Sequence, residues 1–239
     1  MGDVLRGDLG PSFRYPDRTV NELLTLGFPV SLTLGLCALG VALTIGVTSG
    51  VLAGLRRNSV VDYLTMSVAL FGVSVPNFVL GPILMLIFAL GLGWLPVAGW
   101  GTWRHLVLPS VTLGAFYAAY IARLTRAGLL EVIGQDFIRT ARAKGLRESV
   151  VVLRHALPGA ILPVVTYLGP ASAAVLTGSV VVETIFSIPG IGRYFVGSAL
   201  NRDYTMVLGT VVFYSVLLVA LNLIVDVLYA YLDPRVQVR

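Results

Sequence analysis

The chain has 239 residues, 56% of them hydrophobic and 12% charged, with a formal net charge of +5. Soluble domains carry about 25% charged residues, so this composition excludes an ordinary water-soluble globule and places the chain in the membrane class. The positive charge lies beside apolar runs, so it reads as membrane topology and not as a nucleic-acid surface.

Residues 1–27 are polar and lack the apolar stretch of a signal peptide. They are expected to form an extracytoplasmic N-terminal segment. A helical span needs about 20 mostly apolar residues. Five segments meet that requirement. The first is Phe28 to Leu55, which carries no charge. The second is Leu64 to Leu92, with Pro76 near its middle. The third is Leu106 to Ala122, the fourth Gly159 to Val182, and the fifth Thr205 to Leu232. These runs are longer than barrel strands of about 9–11 residues, and they show no two-residue alternation. The expected fold class is all-α: a polytopic transmembrane helical bundle of five spans within 28–232, followed by a short tail, 233–239.

Arg56 to Tyr63, Arg123 to Pro158 and the tail together hold 11 of the 17 Lys and Arg residues. Positive-rich loops stay cytoplasmic. The N-terminus is therefore expected outside and the C-terminus inside, with Trp94, Trp100 and Trp103 in one outer loop. Pro189-Gly190 gives a turn there too, before a short interfacial helix over Arg193 to Leu200.

Chemistry-bearing residues are sparse. Cys37 is the only cysteine, so no intrachain disulfide forms. His105 and His155 fall on opposite sides of the membrane, which leaves neither a metal set nor a hydrolytic triad. Lys144 is the only lysine and is not in a phosphate-binding loop. No enzyme activity and no cofactor are expected. Asp226 is the only ionisable residue within a span, and Asn222 one turn earlier makes the two an expected polar clamp. Pro76 breaks the second span, with Ser74 and Asn77 beside it. Those three, with Tyr117, Tyr120, Thr166, Tyr167 and Ser172, are the candidates for lining a pathway. A self-sufficient secondary transporter or channel would need more intramembrane charges and internal repeats than this chain has.

The loop 123–158 has the densest local information. Asp136 is expected to cap a helix of about two turns, Phe137 to Lys144. Gly145 follows, where a left-handed backbone is needed. Arg142 and Lys144 suit the negative end of that helix. Thr140, Ala141 and Ala143 are small enough for close approach. A second helix, Glu148 to Leu157, leads to Pro158.

The spacing resembles the signature loop of membrane permease subunits of ATP-binding-cassette (ABC) importers. Arg139-Thr140-Ala141 stand at the opening triplet, Gly145 at the glycine, and His155-Ala156-Leu157-Pro158 at the closing motif. The usual acidic first residue and the Ile are absent. The run Thr140-Ala141-Arg142-Ala143-Lys144-Gly145 is similar to the dipeptide/oligopeptide/nickel branch. So are GDLGPSFRY (Gly7 to Tyr15), SVPNF (Ser74 to Phe78), GWLPVAG (Gly93 to Gly99), ETIFSIPGIGR (Glu183 to Arg193) and VDVLYAYLDPRV (Val225 to Val236).

The resemblance implies a permease subunit of a bacterial or archaeal cytoplasmic membrane that imports di- or oligopeptides. Nickel complexes or another small solute are the alternative cargo. It implies a second permease subunit in a heterodimer, two cytoplasmic ATPase subunits, and an extracytoplasmic binding protein that delivers substrate. The loop would dock on an ATPase, and Glu183 to Tyr204 would lie at the outer mouth. The family's first helix has no counterpart here, which implies a further apolar helix upstream of residue 1.

Overall fold

The computed structural model describes residues 7–232, and every regular element among them is helical apart from one isolated bridge, Pro11 to Thr19. The elements are α1 (Val20–Leu55), α2 (Val60–Ser74), α3 (Asn77–Gly91), α4 (Trp103–Val132), α5 (Asp136–Ala143), α6 (Glu148–Ala160), α7 (Leu162–Ile185), α8 (Ile191–Leu200) and α9 (Tyr204–Leu232). Three helices are long and apolar enough to cross a membrane, or five when α2–α3 and α6–α7 each count as one broken span. That agrees with the five spans expected.

The boundaries differ from the apolar runs for local reasons. Helix α1 starts at Val20, before the expected Phe28, because Thr19 and Glu22 form a reciprocal cap. The Glu22 amide donates to Thr19 Oγ1 and the Thr19 amide to Glu22 Oε2, both at 3.3 Å. Helix α4 runs to Val132 instead of stopping at Ala122. Its added turns bury Thr125, Gly128, Leu129 and Val132 on one face, so packing holds a stretch that was expected to be loop. Helix α6 extends to Ala160 and widens into a π-helix over Val151–Ala156. Pro158 has no N–H, and its ring crowds the carbonyl four residues earlier; the wider turn accommodates both.

Contacts divide the chain into two units. The first draws on 7–39, 76–113 and 172–224, the second on 40–75, 114–171 and 225–232. In the first unit Val20, Leu23, Leu24, Ile191 and Met206 form a buried cluster, with Phe28, Tyr194 and Phe213 against it.

In the second unit α1 meets α4 at very short range through glycines spaced four apart. A Cβ at Gly46 would stand 2.7 Å from Ile121, one at Gly50 2.5 Å from the Ala122 carbonyl oxygen, and one at Gly54 2.9 Å from Leu129. Ordinary carbon contacts lie at about 3.5–4.0 Å, so a larger residue at Gly46 or Gly50 would have to displace the α4 backbone, and one at Gly54 the Leu129 side chain. The arrangement is the small-residue contact by which helices associate in lipid. Beside it Asp62, 2% exposed, takes a two-pronged ion pair from Arg126 at 2.6 and 2.7 Å. Asp62 also accepts from the Asn58 amide.

Gly50→Leu is expected to force α1 and α4 apart and lower the apparent unfolding temperature of the purified protein. Overpacking of this kind costs about 1–3 kcal/mol. Gly40→Leu, whose added Cβ meets nothing within 4 Å, is expected to leave that temperature unchanged.

Candidate functional site

Helix α5 is eight residues long and would be marginal alone. It persists because one face is buried in the second unit. Ile138 is fully buried and Ala141 nearly so, packed with Leu129, Val132, Val151, Ala156 and Ala160. The N-cap is Gln135, with extended backbone, and Asp136 is the first helical residue; this corrects the expected Asp136 cap. The shift costs little, because Asp136 still lies in the first turn, where the helix dipole favours an anion.

The C-terminus is as expected and more completely bonded. Gly145 has φ +75°. Its amide donates to Arg142 O at 2.9 Å, and the Leu146 amide donates to Ala141 O at 3.4 Å. Those two bonds make a Schellman motif. Arg142 forks onto Glu148 at 3.1 and 2.6 Å, joining α5 to α6. The Glu148 carboxylate pushes the Arg142 guanidinium above its usual range. His155 lies in the π-helical part of α6, its Nδ1 3.3 Å from Val150 O, with half-buried Leu157 and exposed Pro158 following.

The small residues of α5 therefore split. Ala141 faces the chain's own core, while Thr140 and Ala143 face outward with Arg139 and Lys144. Phe137 flanks that outer face and is 47% exposed.

Of the pathway candidates, the structure brings together the tyrosines. Tyr120 and Tyr167 stack with centroids 4.9 Å apart, and Phe116 sets its edge to Tyr117 at 5.4 Å. Arg123 lies 4.9 Å from the Tyr120 centroid. Thr166 is exposed and donates to Leu162 O. In the same unit Ser74 donates back to Leu70 O. In the other unit Pro76 has extended backbone before α3, Asn77 opens that helix, and Ser172 is half-buried. Asn222 is half-buried in α9; the Asp226 side chain lies outside the described residues, as does the tail. Among the described residues no three His, Cys, Asp or Glu side chains are grouped to hold a metal.

Two carboxylates in the first unit, Glu183 and Asp203, are brought into buried sites by the fold. Glu183 stands one residue past the fourth expected span, yet it lies within α7 and is fully buried. It accepts from Ser31 Oγ and Ser179 Oγ at 2.7 Å and from the Gly192 amide at 2.8 Å. Ser31 Oγ in turn accepts the Ile191 amide at 2.9 Å. Asp203 is also fully buried. Its Oδ1 accepts from Thr205 Oγ1 and the Met206 amide, which caps α9, and its Oδ2 accepts from Ser12 Oγ and the Arg14 amide. The sequence signal was present for Asp203, a carboxylate three residues before Met206 at the start of an apolar run.

Burial alone would raise the Asp203 carboxyl, but the hydrogen bonds from Ser12, Met206, Thr205 and Phe13 outweigh it and hold the group below its ordinary value. Its contribution is full above the unfolded value of 3.8 and is lost as pH falls through the lower folded value. Acidification below that range is expected to lower the unfolding temperature of the parent protein by more than that of Asp203→Asn.

Gly145→Val is expected to fray α5, because a left-handed backbone costs a non-glycine residue roughly 1–2 kcal/mol. A cysteine at Ile138, buried in the parent, is expected to become reactive to maleimide in detergent only when Gly145 is also replaced.

The family model described as "Binding-protein-dependent transport system inner membrane component" matches residues 46–238. The Oligopeptide transport system permease protein OppB of Haemophilus influenzae is 50% identical over 239 residues, covering 99% of this chain and 78% of that protein. The Dipeptide transport system permease protein DppB of Bacillus subtilis is 47% identical, covering 100% of this chain and 78% of its own length. The Glutathione transport system permease protein GsiC of Pectobacterium atrosepticum is 43% identical over the same shares. Among solved structures, the inward-facing MetNI methionine ABC transporter superposes with a TM-score of 0.72 at 19% identity, covering 88% of this chain and 96% of that one.

Proposed function

The chain belongs to the family of binding-protein-dependent transport system inner membrane components, and on that premise we propose that it forms half of the translocation pathway of a peptide importer. The relatives named for oligopeptide, dipeptide and glutathione transport support a short peptide as cargo. ATP is hydrolysed on two separate cytoplasmic subunits, a second permease completes the pathway, and an extracytoplasmic binding protein supplies the substrate. The N-terminal segment lies outside and the C-terminus inside, as the positive loops require. Transport then follows a population shift between inward-open and outward-open states, biased by ATP.

The observation that carries this reading is α5. It is a short helix whose inner face is fixed by Ile138 and Ala141, whose end is locked at Gly145, and whose outer face offers Phe137, Thr140 and Ala143. A rigid, amphipathic helix with a small-residue outer face beside an aromatic side chain suits a groove on a partner. The docking residues are therefore Phe137, Arg139, Thr140, Ala143 and Lys144, while Asp136, Ala141, Arg142, Gly145, His155, Leu157 and Pro158 hold them in place.

The test separates the two groups. In reconstituted vesicles, Ala143→Trp is expected to reduce ATPase stimulation by the loaded binding protein about tenfold or more, equivalent to about 1.4 kcal/mol, without lowering the yield of folded permease. Ala141→Trp is expected to lower that yield, because the ring enters the chain's own core. Normal stimulation and uptake in Ala143→Trp and Phe137→Ala together would remove the docking role from this face.

A further inference from the structure

Within the first unit lies a cavity of about 450 Å³, lined by Arg14, Tyr15, Thr184, Arg193 and Tyr194 among others. None of its lining residues is acidic. Arg14 gives one N–H to Gly197 O at 3.1 Å and sits 5.7 Å from the Tyr15 centroid, leaving the rest of its guanidinium fork unspent among the described residues. Arg193 is exposed and has no hydrogen-bond or ion-pair partner among the described residues. Tyr15 and Tyr194 meet edge to face at 6.2 Å.

Two guanidiniums that share a recess without a counter-charge repel each other, and an anion between them relieves that repulsion. Arginine's planar fork matches a carboxylate in two-pronged fashion. The backbone carrying each arginine is pinned by a buried carboxylate. Asp203 accepts the Arg14 amide itself, and Glu183 accepts the amide of Gly192, next to Arg193. Neither carboxylate lines the cavity, and each is engaged by its own internal donors. The backbone at each arginine is thus fixed by a carboxylate that does not line the cavity, while both arginine side chains are exposed and free to turn toward a ligand. The volume lies in the small-ligand range of about 300–1,000 Å³, and the lining combines two arginines, two tyrosines and Thr184 with Pro189 and Val196.

We propose that this cavity receives the terminal carboxylate of the incoming peptide, an assignment that rests on the peptide-import reading above. Arg14 and Arg193 take the carboxylate, and Tyr15 and Tyr194 flank the last residue. The cavity is a low-affinity acceptor on the outer side, used after the binding protein releases its cargo.

The experiment uses the complete complex in proteoliposomes, with a tripeptide bearing a free terminal carboxylate and the same tripeptide as its terminal amide. Binding-protein affinity for each is measured first, and both are supplied at saturation. Arg193→Gln is expected to slow uptake of the free acid about tenfold and uptake of the amide less than about twofold; a tenfold change corresponds to about 1.4 kcal/mol. Arg14→Gln is expected to act in the same direction. Arg193→Lys is expected to restore part of the loss for the acid only. All three variants are expected to purify with the parent's subunit stoichiometry and apparent unfolding temperature, which shows that the complex is folded and assembled. Equal slowing of both peptides, or no slowing of either, overturns the assignment while leaving peptide import standing. A parent complex that imports neither peptide overturns the peptide reading, and the assignment falls with it.

Discussion

The close contact of α1 with α4 is the constraint on which the second unit depends. In lipid there is no hydrophobic gain from bringing two apolar helices together, so packing must supply the attraction. Gly46, Gly50 and Gly54 let the helix backbones approach until Ile121, Thr125 and Leu129 lie against glycine Cα atoms. The same face of α4 continues to Leu129 and Val132, which form the floor under Ile138 and Ala141. Gly128, on that stretch, lies directly against the Ala160 backbone and admits the end of α6. Larger residues at those positions would move the floor and with it the short helix, whose eight residues cannot hold their shape without it.

Buried carboxylates fix other junctions between the helices of each unit. An unpaired buried charge is costly, so each must be repaid by charge or by donors. Asp62 uses charge, in a two-pronged pair with Arg126. Asp203 and Glu183 use donors, and both include an amide from the first turn of a helix: Met206 in α9 and Gly192 in α8. Those amides are unpaired within their own helices and carry the positive end of the dipole. Because every donor must be in position for the burial to be tolerated, each carboxylate selects one arrangement of its neighbours. That makes them devices of specificity more than of stability.

The sequence made the helical class, the five apolar spans and the position of Gly145 legible, because composition, run length and a left-handed stop depend on local residues alone. It also placed a helix close to α5 and another close to α8. It did not reveal where α4 ends. Arg123 and Arg126 look like the start of a loop in a one-dimensional reading, and only the partner face, Asp62 and the α1 glycines, explains why the helix continues. The burial of Glu183 is illegible for the same reason: a carboxylate after an apolar run signals an exit from the membrane unless Ser31, far away in sequence, is known to face it. The tyrosines were named singly, and their stacking across α4 and α7 depends on a fold that spacing does not encode.

A sequence motif records several physical requirements at once, and α5 shows how they separate. Ala141 and Ala143 are both small and two residues apart, Ala141 within the opening triplet of the signature and Ala143 in the spacer before its glycine. Ala141 is buried in one cluster with Leu129, Val132 and Val151, so a small side chain there serves the chain's own core. Ala143 has no such neighbour and is open to solvent, so its own chain places no limit on its size. Gly145 has nothing within 4 Å of an added Cβ and is required only by its φ of +75°. Of these three positions, the fold accounts for two. At the third, alanine's high helix propensity is a sufficient local reason, so the exposed position leaves the outer face small without any demand from its own core.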